Sequence, residues 1–492
     1  MSFYLGQRLS YSGELCTVKF IGEIPAWEEQ QALGVEWDNA SKGKHSGCYK
    51  DIEYFQVQIP NSGSFLKASK KHDGVRDFYS ALVDTYADDF KESEIKIGSK
   101  VVESLGFDKL QRLQSDFHYL KDISLSRKQI CAFDVKNLEL VSDGLKNLEK
   151  LDLSFNLFED FNDVVNILKC LNARKLKLIG NRFRRNTTLS KVVVESIESL
   201  DLSLTYIEDE LLGQLTTVFP NLKELHLSDN SYSSLPTSVE KYHQITSINL
   251  SFNQLEELPF SLTRLPNLKS INLANNKLQI SEIPKTTLFQ HIETLNLRRN
   301  EISHWREVDQ IATSFPNLTD LSINHNPLFD NSTIEESEYE IMARISTITQ
   351  LNGVSISASE RNNSELYFIA KVNDGTIVSY NKDHFINLLK LHNKALPANG
   401  VIRVNDNTLS SILVTLEVQY GDIKMIIPIL QNIEVLKLRG ILSRRFGVEF
   451  TKFRMSYEIG SIITYIDTNL TLVSSLGLED GQVVTIRDIT TK

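Results

Sequence analysis

The 492-residue sequence is poor in cysteine, and its four cysteines, Cys16, Cys48, Cys131 and Cys170, form no CxxC pair. That scatter excludes a disulfide framework or a cysteine zinc site and suits reduced thiols in a cytosolic chain. No stretch approaches the roughly 18 apolar residues of a membrane span, and Met1 to Tyr11 lacks the apolar core of a secretory signal. The sequon Asn186-Thr187-Thr188 therefore carries no meaning for glycosylation. An excess of positive charge is lacking too: 53 Lys and Arg stand against 63 Asp and Glu, a net charge of −10. A general nucleic-acid binder needs a basic face to displace phosphate counterions, so that class falls away. No triad motif, metal-ligand spacing or phosphate loop is present either, and the chain is expected to bind rather than catalyse, without a cofactor or a metal.

What is there begins with an internal period. Leu148-Glu-Lys-Leu151-Asp-Leu153-Ser-Phe-Asn156-Leu-Phe158 fits the pattern LxxLxLxxNxL. The pattern returns from Ala173 (Asn181), Ile197, Leu222 (Asn230), Ile245 (Asn253), Leu268 (Asn276), Ile292 (Asn300) and Leu318 (Asn326). A degenerate first copy starts at Leu120, and the nine starts lie 23 to 28 residues apart. This is the period of leucine-rich repeats, in which each unit gives one short strand that cannot bury its leucines alone. The inward-turned Asn can satisfy backbone groups of neighbouring turns; Lys128 and Thr205 replace it in two units, where the ladder should be weaker. Ile345 to Leu351 reads as a last half-repeat, and Ser359-Glu360-Arg361 opens a capping helix. Ser124, Asp152, Lys177, Asp201, His226, Asn249, Asn272, Asn296 and Ser322 fall at the strand position facing the concave side, and this polar column is expected to dock a macromolecule.

Residues 1 to 74 differ in character. Gly6, Gly13, Gly22, Gly34, Gly43, Gly47, Gly63 and Gly74 alternate with strand-like pieces such as Thr17–Ile21 and Leu33–Trp37, as in a small, strongly bent β-barrel. A Walker loop would need Gly five residues before Gly43, where Asp38 stands. A lysine framed by glycines beside aromatics instead suits an extended peptide end carrying a carboxylate. The string Leu33-Gly-Val-Glu-Trp37-Asp, Gly43-Lys44-His45-Ser-Gly47, Tyr54-Phe55 and Gly63-Ser-Phe65 resembles the CAP-Gly domain. The resemblance implies binding of the acidic, aromatic-ended tail of α-tubulin or of similar tails ending Glu-Glu-Tyr or Glu-Glu-Phe, with Lys44 and His45 on the carboxylates and Trp37, Phe55 and Phe65 walling an aromatic pocket. Lys42, Lys44, Lys67, Lys70 and Lys71 form a basic cluster suited to such a tail. Departures from the CAP-Gly pattern are Ala32 for a tryptophan, Cys16 and Asp51 for glycines, and Ser46 for an acidic residue.

From Ser410 the pattern turns to strands (Ser411–Val418, Met425–Ile429), an amphipathic helix from Ile433 to Phe446, and a last strand after Leu476-Gly-Leu-Glu-Asp-Gly481. This ββαββ order resembles a ubiquitin-like domain, an α+β roll. Ile489-Thr-Thr-Lys492 lacks Gly-Gly, so conjugation is not expected, and Arg454 stands where ubiquitin carries a patch isoleucine. The expected organisation is a multi-domain chain: 1–74 CAP-Gly-like barrel, 75–119 linker and solenoid N-cap, 120–372 α/β leucine-rich-repeat solenoid with its C-terminal cap, 373–409 connector, and 410–492 ubiquitin-like domain. Within the second of these, Asp77 to Ala87 reads as a helix and Asp88 to Glu94 as a solvated linker. The whole order resembles the tubulin-specific chaperone E family. That resemblance implies a cytoplasmic, cytoskeleton-associated partner of α-tubulin and of other tubulin-folding cofactors, acting in assembly and dissociation of the αβ-tubulin dimer. The alternative is a CAP-Gly microtubule-associated protein or an adaptor that meets the proteasome or ubiquitin machinery.

Overall fold

The computed structural model describes residues 3–25, 27, 30–86, 96–97, 100–101, 119–132, 145–185, 187–280, 283–284, 288–330, 332–394, 413–430, 433–459, 462–466, 469–478 and 481–489. The linker expected at Asp88 to Glu94 and most of the connector after Lys394 lie outside these residues. Two compact units divide the chain: residues 1–333 with 347–356, and residues 334–346 with 357–492. Among the described residues no helix is long and apolar enough to cross a membrane.

In the first unit, β1 (Arg8–Tyr11), β2 (Glu14–Gly22), β3 (Ala32–Trp37) and β4 (Gly63–Lys67) form an antiparallel sheet in that order. Its core is Leu9, Tyr11, Cys16, Val18, Leu33, Val35 and Trp37. Burial pushes the Cys16 thiol up to about 12, with Arg8 pulling the other way, so this thiol stays protonated and inert.

The repeats fold as read. Nine three-residue strands, from Asp122–Ser124 to Asp320–Ser322, pair in parallel, and Gln350–Leu351 adds to the last of them. The central residue of each is almost fully buried: Ile123, Leu151, Leu176, Leu200, Leu225, Ile248, Ile271, Leu295 and Leu321. The asparagine ladder runs behind them. Asn253 accepts from the Asn230 and Tyr232 N–H groups at 3.0 Å each and donates from Nδ2 to the Leu227 and Leu250 carbonyls at 3.0 and 2.9 Å. At Thr205 the hydroxyl donates to the Leu202 carbonyl (2.6 Å), and the Asn181 N–H bonds the Leu178 carbonyl of its own repeat instead of a neighbouring amide oxygen. One inter-repeat bond is thus missing there.

The residue before each ladder position lies in the left-handed region: Arg127, Phe155, Gly180, Leu204, Asp229, Phe252, Asn275, Arg299 and His325, at φ between 53° and 71°. Non-glycine residues seldom adopt this conformation and β-branched ones least of all, and no Val, Ile or Thr occurs among the nine.

Barrel and solenoid interlock, which no periodicity signals. Arg76–Asp77 pairs in parallel with Ile130–Ala132, and the helix Phe78–Tyr86 buries Phe78, Ala81 and Leu82 completely. Glu159 of the solenoid accepts from the Arg8 N–H (2.7 Å), the Tyr4 hydroxyl (2.9 Å) and Arg184 Nε (3.1 Å). Asp38 of the barrel receives Arg8 bidentately at 2.7 and 2.5 Å, with Arg182 of the solenoid 3.9 Å away. Against burial, which pushes it up, the Arg8 guanidinium holds the Asp38 carboxyl below the usual range.

In the second unit, Ala358–Asn373 is the helix expected near Ser359, opened by a Ser357–Glu360 capping box, and it packs with Ile334–Arg344 and Lys382–Leu391. The C-terminal sheet runs Ile423–Leu430, Leu413–Tyr420, Val483–Asp488, Phe453–Ile459, Ile462–Tyr465, with its first and last strands in the chain parallel. The helix Val435–Phe446 buries Val435, Leu438 and Leu442 against it, giving the ubiquitin-like roll. Arg454 faces Arg487 across neighbouring strands.

Candidate functional site

In the barrel, the strand β4 and the loop before it assemble the glycine-framed site. The Lys44 N–H donates to the Gly63 carbonyl at 2.7 Å, and the Gly63 N–H returns a bond to the His45 carbonyl at 2.8 Å. These bonds lay the Gly43–Gly47 loop along β4. A Cβ at Gly43 would stand 1.9 Å from the Asn61 carbonyl oxygen, and one at Gly47, whose φ is +98°, would stand 1.7 Å from that of Phe55. Only glycine fits either place.

The loop leaves Lys44 exposed and without an ion-pair partner among the described residues, whereas Lys42 pairs with Glu14 at 3.1 Å. His45 accepts the Gly47 N–H on Nδ1 (3.0 Å), which assigns the ring proton to Nε2. Burial, then the neighbouring Lys44, pushes the His45 imidazole below its ordinary value. His45 is therefore a neutral donor at pH 7, and Lys44 is the cation.

Phe65 is the hub of the aromatic cluster. His45 lies 5.0 Å from it, Tyr54 5.4 Å, Phe55 5.6 Å, Phe20 6.2 Å and Tyr49 6.4 Å between ring centroids. The structure brings Lys44, His45, Phe55 and Phe65 together, but not Trp37. That ring lies in the barrel core, edge-on to Tyr11 at 6.1 Å, because β3 alternates its side chains and Trp37 falls on the face of Val35 and Leu33. Phe20 was missed, and Tyr54, although part of the motif, was given no role in the pocket; its place beside Phe55 was the available signal. The Trp27 ring lies 5.8 Å from Nζ of Lys67, a member of the basic cluster, and Lys67 is the cross-strand partner of Ala32, where the CAP-Gly pattern has its tryptophan.

In the solenoid, register places Asp152, Lys177, Asp201, His226, Asn249, Asn272 and Asn296 side by side in one unbroken column. Five of these seven also hold the backbone. Asp152, Asp201, Asn249, Asn272 and Asn296 each accept on Oδ1 the N–H two residues onward, at 2.9 to 3.1 Å. They close the turn that ends each strand.

Residues 5–71 match the CAP-Gly domain family and residues 220–278 the Leucine rich repeat family. The chain is similar to Protein PAC2 of Saccharomyces cerevisiae, 29% identical over 98% of this chain and 96% of that protein. It is 30% identical to the tubulin-specific chaperone E of Rattus norvegicus over 74% of this chain and 71% of that protein. To the Homo sapiens protein of the same name it is 29% identical over 92% of each. Among solved structures, the C-terminal ubiquitin-like domain of mouse tubulin-specific chaperone e aligns over 16% of this chain and 90% of that one, with 20% identity and a TM-score of 0.16.

Proposed function

The chain belongs to the tubulin-specific chaperone E family, and from that premise we propose that it captures α-tubulin and acts with other tubulin-folding cofactors in the cytoplasm to assemble and dissociate the αβ-tubulin dimer. The observation that supports the reading is the exposed Lys44, without an ion-pair partner among the described residues, next in the chain to neutral His45, whose ring lies against the aromatic cluster around Phe65. A tail ending in acidic residues and a tyrosine supplies the matching groups. Its terminal carboxylate takes the charge of Lys44, a second carboxylate oxygen accepts from His45 Nε2, and its ring meets the aromatic faces.

The solenoid column binds the body of the same molecule. Because Arg8, Asp38 and Arg182 lock the barrel to the repeats, the two contacts stand at a fixed spacing rather than on a floppy tether. Two linked weak contacts exceed either alone by about 10²–10⁴-fold when the geometry admits both at once. Splitting a dimer then follows from tighter binding of free α-tubulin than of the dimer, and needs no nucleotide. The C-terminal roll is left for another cofactor.

Titration with a fluorescent peptide ending Glu-Glu-Tyr tests the pocket. Lys44→Ala removes a charge-assisted bond of about 1.5–3 kcal/mol and should raise the dissociation constant roughly ten- to a hundred-fold. An unchanged constant would remove the tail from this pocket.

A further inference from the structure

The concave floor changes chemistry halfway along. In its first repeats the charges are matched: Lys150 pairs with Asp122 at 3.0 Å, Lys175 with Glu224 at 3.6 Å, and Lys177 lies in register between Asp152 and Asp201. The strands Ser247–Asn249, Ser270–Asn272 and Thr294–Asn296 carry no charge at all.

Their three asparagines are oriented by the backbone. Oδ1 of Asn249, Asn272 and Asn296 accepts the N–H of Ser251, Ala274 and Arg298, which fixes each amide and leaves Nδ2 with its donors unused among the described residues. Neighbouring strands are about 4.8 Å apart, so the amides form a row of fixed donors at strand spacing. At the end of the third strand Arg298 and Arg299 are exposed with no ion pair among the described residues, and His325 is exposed one repeat further on. Glu293, just before that strand, is already held by Lys269 at 2.8 Å.

We infer that these three repeats form a donor strip that binds a carboxylate-rich, extended segment on the body of the captured protein, an inference that rests on the solenoid reading above. Fixed amide N–H groups and two guanidinium groups without an ion pair among the described residues favour an acceptor-rich partner; the carboxylates nearest the strip, Glu224 and Asp320, lie in register on the strands that flank it. In a chain of net charge −10 this local excess of donors and cations is the complement of an acidic surface.

The decisive variant is the triple substitution Asn249→Asp, Asn272→Asp, Asn296→Asp. It keeps an Oδ1 on each turn, as Asp152 and Asp201 already do in the same column, but turns each donor into an anionic acceptor. Binding of α-tubulin lacking its C-terminal tail should weaken about tenfold or more, with the melting curve unchanged. Arg298→Ala with Arg299→Ala should weaken it about tenfold and flatten its salt dependence. Poly-glutamate serves as a second probe, in protein carrying Lys44→Ala so that the barrel pocket is silent. If the wild-type floor binds poly-glutamate through the strip but not tail-less α-tubulin, the solenoid half of the proposed function falls and the strip stands. If wild-type and triple-aspartate floors bind both probes within about twofold, or if neither probe binds, the strip is overturned.

Discussion

Asp38→Ala probes the interlock between barrel and repeats. The Arg8 side chain is fully buried; its two terminal nitrogens reach Asp38 at 2.7 and 2.5 Å, and its Nε has no hydrogen-bond partner. Without the carboxylate, Thr17 Oγ1 at 2.9 Å is the one side-chain acceptor left to it among the described residues. Arg182, itself nearly buried, then loses the carboxylate 3.9 Å away that offset the charge of Arg8. Removing one partner of a buried ion pair costs about 3–5 kcal/mol, mostly as the stranded charge. With a urea slope of about 2 kcal/mol per molar, a loss of about 4 kcal/mol lowers the unfolding midpoint by roughly 2 M. Two of the three tryptophans, Trp27 and Trp37, lie in the barrel, so fluorescence during equilibrium urea unfolding reports the affected part. The double variant Arg8→Met with Asp38→Leu leaves one cation, Arg182, without its carboxylate rather than two, and should retain more stability than Asp38→Ala. A midpoint for Asp38→Ala within about 0.5 M of wild type would refute the interlock as a buried, compensated pair.

Other outcomes follow from the same geometry. Leu250→Asp places a carboxylate at a fully buried position in the middle of the stack and should unfold the solenoid, seen as lost helical and strand signal in circular dichroism. The ubiquitin-like roll, with its own core, should keep its own melting transition. Asp163 supplies a pH test: burial first, then Asp160 and Glu159, push its carboxyl up to about 6, with Arg184 opposing. The folded state thus holds this proton more tightly than the unfolded one, and the group's contribution to stability falls as pH rises from about 4 to about 6. Asp163→Asn should raise the melting temperature at pH 7.5 and lose that advantage near pH 4; an equal gain at both would contradict the shift.

The sequence disclosed most where one physical demand repeats. Nine units that must bury the same leucine fixed the strand register to the residue, and the ladder asparagines followed because each satisfies the same turn. The Gly43–Gly47 frame was legible because both glycines meet a backbone oxygen closer than any Cβ allows. Trp37 was misplaced because an aromatic within a motif does not reveal its face, whereas counting alternation along Leu33–Trp37 puts it with the core. The interlock was invisible: Asp38 and Arg182, or Arg8 and Glu159, lie more than a hundred residues apart and belong to no pattern. The turn-closing role of Asn249, Asn272 and Asn296 was hidden for a related reason, since an outward polar residue reads alike whether it meets solvent or its own backbone.

The central claim is that this chain takes hold of α-tubulin strongly enough to bear on the dimer. The measurement is sedimentation of αβ-tubulin mixed with the protein, alone and with a second tubulin-folding cofactor. The expected result is a complex of the chain with α-tubulin and the loss of intact dimer when the cofactor is present, both abolished by Lys44→Ala combined with the triple aspartate floor. Dimers that stay intact throughout, with microtubules merely decorated by the protein, would contradict it.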